Sequence, residues 1–345
     1  MDRYSYSKLS SYKDCPYKFK LIYIDKNFVD SSSIATNFGT LIHYTEECIA
    51  NDIKSNIKVD YEKYIQMFIN INDKDKQLYG VKKLKELYPD DFYKEDKTGV
   101  KYSEKCAYYV NEAIYRLENY LKVNPNLEII GTEQEFNLIY KNYEFHGFID
   151  RVFRDKITGN ILVEDIKTYS KPLEKGDLTT PLQFVFYSLA AKELYNVSED
   201  KISCAYDLPL CDCKQNAGTN GYIKRGTIKI DKLLTEIESG DFHPNPSPLC
   251  HFCQFCSTNT NDKIEDTIKY LCPYHSNWTR ENKDFSVENV WMGSEADTDI
   301  CKDYRDKMSN KKVTILGVDL ARDKNYSSNI DLWSPATNRY FRIRT

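Results

Sequence analysis

The chain has 345 residues, with 48 Lys and Arg against 52 Asp and Glu, which gives a formal net charge of −4. The mean hydropathy of −0.62 and the 41% share of hydrophobic residues are typical of a globular protein in water and exclude a disordered or membrane-embedded chain. No apolar run approaches the roughly 20 residues that a membrane-spanning helix needs.

The start of the chain lacks the basic patch and apolar stretch of a secretory signal, so we expect a protein of the cytoplasm. In that reducing compartment the 11 cysteines stay as thiols or bind metal, and disulfides are disfavoured. The length suits one large domain with insertions or two smaller domains. The near-neutral charge argues against a surface coated in basic residues, but it does not exclude a local nucleic-acid groove.

The N-terminal third of the chain is predicted to be helical. Apolar and aromatic residues recur at helical spacing through the first 25 positions, although Pro16 is unfavourable in a helix interior. Because proline fits the first turn of a helix, a helix that begins at Pro16 would leave Cys15 at its start. A second helix is expected over 38–50, and the charged stretch 60–122 is expected to form a helical lobe.

The hydrophobic pattern changes to a two-residue period at Leu127, which indicates β-structure. Three strands of a meander are predicted at 127–140, 143–153 and 161–168. The elements predicted after the meander are a helix at 181–194, strands at 202–210 and 222–230, a short helix at 231–239 and a proline-rich stretch at 242–248. Beyond a cysteine-rich segment, the tail has strand-like runs at 313–318 and 339–344, and no role is assigned to it.

The second and third strands of the meander carry two aspartates and a lysine. If the hairpin turns about Ile157-Thr158, paired residue numbers sum to 315 and Asp150 faces Asp165, with Lys167 on the same side of its strand. A turn one residue further along places Asp150 opposite Lys167 instead. Either register keeps the three side chains together, whereas a one-residue slip would separate them across the sheet.

Two facing carboxylates repel each other unless a cation lies between them. Hard oxygen ligands suit Mg²⁺ or Mn²⁺, the ions that assist cleavage of phosphodiester bonds. A lysine beside the pair, here Lys167, can orient the attacking water or offset charge on the phosphate. The alternative is an ordinary cross-strand Asp–Lys pair on a surface hairpin.

The cysteines near residue 250 have metal-binding spacing. Cys250, Cys253 and Cys256 form two overlapping Cys-x-x-Cys units, and Cys272 follows at a distance. Such a run with a remote fourth cysteine is typical of a [4Fe–4S] cluster. Zinc, held by four thiolates or by three thiolates and His275, is the competing interpretation.

Four motifs occur in one order along the chain, and together they resemble the PD-(D/E)xK nuclease superfamily. The "G-x-x-x-H" helix corresponds to Gly39–His43 and the "G-x-I-D" strand to Gly147–Asp150. The "D-x-K-T" strand corresponds to Asp165–Thr168 and the "Q-x-x-x-Y" helix to Gln183–Tyr187. The order is that of the RecB-like branch, which includes AddB-type, CRISPR-associated and phage exonucleases. The combination is more specific than any one motif.

The resemblance implies an α/β fold with a restriction-endonuclease-like core, in which helices flank a central mixed sheet. It also implies a helical insertion and a cysteine-ligated cluster region that joins the N- and C-terminal parts. The activity implied is metal-dependent DNA cleavage, most often exonucleolytic. The catalytic residues implied are Asp150, Asp165, Lys167, Gln183 and Tyr187. The Mg²⁺ or Mn²⁺ ligands implied are His43, Asp150, Asp165 and the carbonyl of Ile166.

Many RecB-like nucleases also carry an iron–sulfur cluster, with one cysteine near the N-terminus in a "C-P-x-x-F/Y" setting and three after the catalytic domain. Cys15 fits the first position, and Cys250 and Cys253 fit the start of the second group. The usual place of the last cysteine is occupied by Asn259. The resemblance therefore implies a [4Fe–4S] cluster with Cys256 as the fourth ligand or Cys272 as its alternative, with zinc still the competitor.

The implied partner is DNA with a single-stranded end, and no membrane partner is expected. A helicase or recombination partner, and a role in recombination, repair or phage DNA processing, follow by family analogy, with the host cytoplasm as the location for a phage protein. The expected regions are N-terminal helices (1–50), a helical lobe (51–125), the nuclease core (126–240), the cluster region (241–280) and a C-terminal extension (281–345). The rivals are a non-catalytic nucleic-acid-binding or scaffold protein and a zinc-stabilised protein.

Overall fold

The computed structural model describes residues 3–27, 32–96, 98–245, 247, 249–250, 253–255 and 271–272, and the backbone of four short strands between 314 and 343. It divides into two compact units. The first contains Met1–Tyr6 and Ser32–Asp231, and the second contains Ser7–Ser31 and Lys232–Thr345. Among the helices described, none combines the length and apolar character that crossing a bilayer requires.

A mixed six-stranded sheet forms the centre of the first unit. Its strands are β1 (Arg3–Tyr4), β4 (Leu127–Tyr140), β5 (Tyr143–Asp155), β6 (Ile161–Ile166), β7 (Ile202–Leu208) and β8 (Cys213–Ala217). Strand β5 pairs antiparallel with β4 and β6 and parallel with β1, while β7 lies parallel to β6 and antiparallel to β8. This mixed sheet with flanking helices confirms the predicted α/β core.

The register of the β5–β6 hairpin follows the first of the two predicted alternatives. Arg151 pairs with Glu164 and Phe153 with Leu162, so that paired numbers sum to 315. One further step along the strands places Asp150 opposite Asp165. The Asp155 carboxylate stabilises the turn by accepting the backbone N–H groups two and three residues further along the chain.

The helical lobe that was predicted for residues 60–122 is present, together with a small hairpin that was not predicted. Helix α3 (Ile34–Lys54), the second predicted helix, precedes the lobe. The elements of the lobe are α4 (Tyr61–Asn70), β2 (Asn72–Asp73), β3 (Leu78–Tyr79), α5 (Val81–Leu87), α6 (Pro89–Tyr93), α7 (Tyr102–Asn111) and α8 (Arg116–Val123), with a 3₁₀ turn at Ala113–Tyr115. Helix α3 begins four residues earlier than expected because Ser33 caps it, its Oγ accepting the Thr36 N–H at 3.2 Å. The rings of Phe38, Phe68 and Tyr109 pack together in the lobe core.

The part of the chain that follows the meander corrects one prediction. Helices α9 (Lys175–Thr179) and α10 (Leu182–Tyr195) precede β7, but the strand predicted at 222–230 and the short helix after it form one helix, α11 (Tyr222–Glu238). Gly226 lies at its contact with α10, where a Cβ atom would come within 2.2 Å of Val185 Cγ2. Glycine disfavours an isolated helix, but the buried residues Tyr222, Ile230, Leu234 and Ile237 recur at the spacing of one helix face.

In the second unit, the N-terminal helices break where proline predicted. Helix α1 (Tyr6–Asp14) is followed by α2 (Pro16–Phe19) and a π-helical turn at Lys20–Ile24. Cys15 caps α2, with its Sγ accepting the Lys18 N–H at 3.4 Å. In the tail, β9 (Thr314–Ile315) pairs with β10 (Val318–Asp319) and β11 (Ile330–Ser334) with β12 (Arg339–Ile343), all antiparallel.

Candidate active site

Helix α3 brings His43 to the sheet. The buried side chains of Leu41 and Ile42 hold this helix against the core. One turn before His43, Gly39 lies close to the loop after β6, where a Cβ atom would be 3.5 Å from Thr168 Oγ1. His43 Nδ1 consequently lies 3.5 Å from Asp150 Oδ2. Burial lowers the pKa of His43, which leaves the imidazole neutral and able to donate a lone pair to a metal.

Asp150 joins the two predicted carboxylate strands. Its Oδ2 accepts the backbone N–H of Ile166 at 2.6 Å. Burial raises the pKa of Asp150 to about 6, although that hydrogen bond and the nearby lysine oppose the shift. A carboxylate with a raised pKa gains when a cation replaces its proton.

Asp165 and Lys167 form a close ion pair at the end of β6. Lys167 Nζ lies 2.6 Å from Asp165 Oδ2. Burial, together with the charge of Asp150, raises the pKa of Asp165 to about 6. Burial alone would lower the pKa of Lys167, but the Asp165 carboxylate outweighs it and the pKa is raised, so Lys167 is an ammonium at neutral pH.

Gln183 and Tyr187 on α10 close a ring of polar contacts with that pair. Lys167 Nζ donates to Gln183 Oε1 at 3.3 Å, and Gln183 Nε2 donates to the Tyr187 hydroxyl at 2.8 Å. The Tyr187 hydroxyl donates in turn to Asp165 Oδ1 at 3.4 Å. The structure thus brings together all the catalytic residues named from the sequence and places Ile166 beside Asp150.

Glu133 is a member of the cluster that the sequence did not indicate. His43, Glu133 and Asp150 each offer a ligand atom, and these atoms all lie within 4.8 Å of one another. Burial, followed by the charges of Asp150, Glu47 and Asp165, raises the pKa of Glu133 to about 7. An imidazole and two carboxylates form a donor set that suits a divalent ion.

The β4–β5 hairpin places Glu133 beside Asp150. From Gly131 to Tyr140 the paired residue numbers sum to 283, as for a turn at Lys141-Asn142, so Glu133 lies opposite Asp150. Its backbone is left-handed there, with a φ of 41°, and the register shift of this pair of strands lies earlier, between Ile129 and Gly131. The neighbouring Glu135 instead lies exposed, with Oε1 3.3 Å from His146 Nε2.

His43, Glu133 and Asp150 line an open cleft of about 520 Å³. One wall consists of α3 residues between Ala35 and Glu47, and the other contains Glu133 and Asp150. The cleft therefore gives access to the site from solvent.

A buried ionic network around Arg151 lies beside this cleft. Arg151 is 1% exposed, and its guanidinium lies 3.3 Å from Glu46, 3.0 Å from Glu164 and 2.5 Å from Asp207. Burial would lower the pKa of Arg151, yet the three carboxylates raise it. Glu46 lies one turn after His43 on α3, and Arg151 and Glu164 are the chain neighbours of the two facing aspartates. One buried cation therefore ties together the three elements that carry the site.

In the second unit, four cysteines line one cavity of about 150 Å³: Cys15, Cys250, Cys253 and Cys272. Cys256, the other predicted ligand, lies outside the described residues. The Tyr17, Leu21 and Phe255 side chains form a small apolar core beside Cys15, Cys253 and Cys272.

A family model described as the PD-(D/E)XK nuclease superfamily matches residues 3–258. Among solved structures, a protein from Eubacterium rectale, named provisionally as an exonuclease, is 12% identical, with a TM-score of 0.38 and coverage of 72% of this chain and 86% of that one. The protein SSO0001 is 21% identical, with a TM-score of 0.25 and coverage of 48% and 78%. No curated protein matches the chain.

Proposed function

The chain belongs to the PD-(D/E)XK nuclease superfamily, and from that premise we propose that it is a metal-dependent deoxyribonuclease that acts as an exonuclease. The observation that carries the proposal is the convergence of ligand atoms from His43, Glu133 and Asp150 within 4.8 Å, beside the Asp165–Lys167 pair. Members of this superfamily usually use Mg²⁺ or Mn²⁺.

The residues present fit such an ion. The donor set is one neutral imidazole and acidic oxygens, and burial raises the pKa values of Asp150 and Glu133, so that a cation can replace the proton of each carboxyl. His43, Glu133 and Asp150 would hold the ion, with Asp165 and the Ile166 carbonyl as the further predicted ligands. A bound ion would supply Lewis-acid stabilisation of the phosphate and a water molecule of lowered pKa.

The chain's own residues perform the remaining tasks. Because Lys167 is charged, it donates hydrogen bonds and does not accept a proton, so its role is to orient the attacking water and stabilise charge on the phosphate. Gln183 holds the lysine side chain, and Tyr187 holds Asp165. These two are positioning residues for the Asp165–Lys167 pair.

The test is cleavage of end-labelled single- and double-stranded DNA in the presence of Mn²⁺. Lys167→Ala is expected to lower kcat about 10²- to 10³-fold, the usual loss of one charge-stabilising donor. Lys156→Ala, which removes an exposed lysine at the far end of the same hairpin, is the matched control and should cleave like the wild type. Equal cleavage by Lys167→Ala and wild type would overturn the role of Lys167, and absence of Mn²⁺-dependent cleavage by the wild type would favour a non-catalytic DNA-binding protein.

We also propose that the second unit holds a [4Fe–4S] cluster, supported by the four cysteines around one cavity. Anaerobically purified protein should contain iron and acid-labile sulfide and absorb visible light, and Cys15→Ser should lose them. Cys211→Ser removes a thiol outside this cavity and serves as the control. Zinc without sulfide would overturn the cluster, and a comparison of Cys256→Ser with Cys272→Ser identifies the fourth ligand.

By family analogy, the substrate would be DNA with a single-stranded end, in recombination, repair or phage DNA processing, with a helicase as a candidate partner. Release of mononucleotides or short fragments from a labelled end, with no cleavage of circular DNA, distinguishes the exonuclease from an endonuclease.

A further inference from the structure

In the part of the chain whose side chains the structure describes, two of the exposed aromatic rings lie beside the candidate active site. Among the residues whose side chains the structure describes, three Phe or Tyr rings are largely exposed: Tyr93 at 50%, Phe148 at 44% and Tyr169 at 48%. Phe148 is two residues before Asp150, and Tyr169 is two residues after Lys167. Leaving a large apolar side chain in water forfeits about 1.5–3 kcal/mol of burial, so two such rings, each two residues from a site residue, point to a binding role.

The ring of Phe148 is held in place by its neighbours on the β4–β5 hairpin. The His146 ring lies perpendicular to it at 5.1 Å, and His146 Nε2 contacts Glu135 Oε1 at 3.3 Å. Glu135 is the cross-strand partner of Phe148. Two residues along an extended strand span roughly 6.6–6.8 Å, which places the Phe148 backbone about one nucleotide's reach from Asp150.

The two residues that precede Tyr169 are held in place by contacts with other parts of the first unit. The Lys167 N–H donates to the Asp207 carbonyl at 2.8 Å, and Thr168 lies against Gly39 on α3. The ring therefore leaves the protein surface from a fixed point next to the catalytic lysine, although the residue itself belongs to no strand or helix.

We propose that Phe148 and Tyr169 stack on unpaired bases next to the scissile phosphate, which makes the site selective for single-stranded DNA. The inference rests on the proposed nuclease function and specifies its substrate. Aromatic side chains hold single strands because every base has a face to stack on, whereas the bases of a duplex are already stacked on one another. Phe148 lies on β5, which carries Asp150, and Tyr169 follows the end of β6, which carries Asp165, so both rings lie within four residues of a facing aspartate.

The test pairs protein variants with oligonucleotides that carry one abasic position, which is moved stepwise along the strand. Stacking of a base contributes a factor of about 5 to 150 in affinity. Phe148→Ala and Tyr169→Ala should each raise KM for single-stranded DNA within this range and leave kcat much less changed. For each ring there should be one abasic position that raises the KM of the wild type by the same factor as the alanine variant does. At that position the abasic site should not raise the KM of the matching alanine variant any further.

Two controls separate stacking from a structural effect. Tyr93→Ala removes the third exposed ring, which lies in the helical lobe under Lys85 at 5.4 Å, and should leave KM as in wild type. Phe148→Trp should restore KM towards the wild-type value, because a larger ring still stacks. Thermal unfolding of Phe148→Ala should match that of the wild type.

Additive effects of the variant and the abasic site, or equal KM values for single- and double-stranded DNA, would overturn the proposal. If wild type cleaves no DNA, the nuclease function fails, and fluorescence anisotropy of the same oligonucleotides in Ca²⁺ then decides the stacking by itself. Weaker binding by both alanine variants supports it, and unchanged binding overturns it.

Discussion

Replacing Arg151 with methionine removes the buried cation that neutralises three carboxylates. The consequences differ among its partners. Asp207 keeps Arg116 at 2.8 Å, and Glu164 keeps Lys214. Glu46, by contrast, keeps a neutral partner, the Tyr109 hydroxyl, which donates to it at 2.9 Å. The main cost is therefore one poorly compensated buried charge, on Glu46.

Removing one partner of a buried ion pair typically destabilises a protein by about 3–5 kcal/mol. We expect Arg151→Met to lower the free energy of unfolding by that amount, measured as a shift of the urea midpoint at an unchanged slope. The matched control is Lys105→Met. Lys105 is also buried, but its partner Asp96 keeps hydrogen bonds from Thr98 and Val100, so a loss of only about 1–2 kcal/mol is expected.

The pH response identifies the cause. Burial already raises the pKa of Glu46 in the presence of Arg151, and without that cation the pKa rises further. Between the unfolded and folded pKa values the native variant binds more protons than the unfolded chain, so its stability increases as the pH falls towards about 4. Arg151→Met should therefore recover on acidification, and Glu46→Gln in the same background should recover at neutral pH. A loss below about 1 kcal/mol, or one that neither change relieves, would refute this reasoning.

Three further predictions concern the cleft and the packing of α11. Because Asp150 and Glu133 have pKa values of about 6 and 7, a metal must displace protons from them at lower pH. Calorimetry should therefore show that the affinity for Mn²⁺ falls at least about tenfold from pH 7.5 to 5.5. An affinity that does not change with pH would contradict the assignment of these two residues as ligands. Glu133→Gln should weaken Mn²⁺ binding by at least about tenfold at pH 7.5 with little change in far-UV circular dichroism, and unchanged affinity would remove Glu133 from the site. Gly226→Ala should lower the free energy of unfolding by about 1–3 kcal/mol because its Cβ would overlap Val185. The control is Gly176→Ala, where a Cβ meets nothing within 4 Å, and this variant should be neutral or stabilising by up to about 1 kcal/mol. Equal effects of the two substitutions would contradict the packing argument.

The sequence by itself determined the order of the motifs and the β-meander. A two-residue period leaves only one parity of pairing that keeps the hydrophobic side chains on the core face. For this reason, the hairpin pattern alone predicts that Asp150 and Asp165 share one face of the sheet. The break at Pro16 was equally local, because proline lacks a backbone N–H and tolerates only the first turn of a helix.

The tertiary structure decided what depends on distant contacts. Glu133 joins a cluster of possible ligands because helix α3 brings His43 close to it and to Asp150, and Gly226 permits the close packing of α11 on α10. Arg151 illustrates the same point, since its neighbours in sequence do not show that carboxylates from α3, β6 and β7 surround it. Local patterns specify which face a residue occupies. The partners that set its charge state come from distant segments, 105 residues away in the case of Arg151 and Glu46, and only the folded chain brings them together.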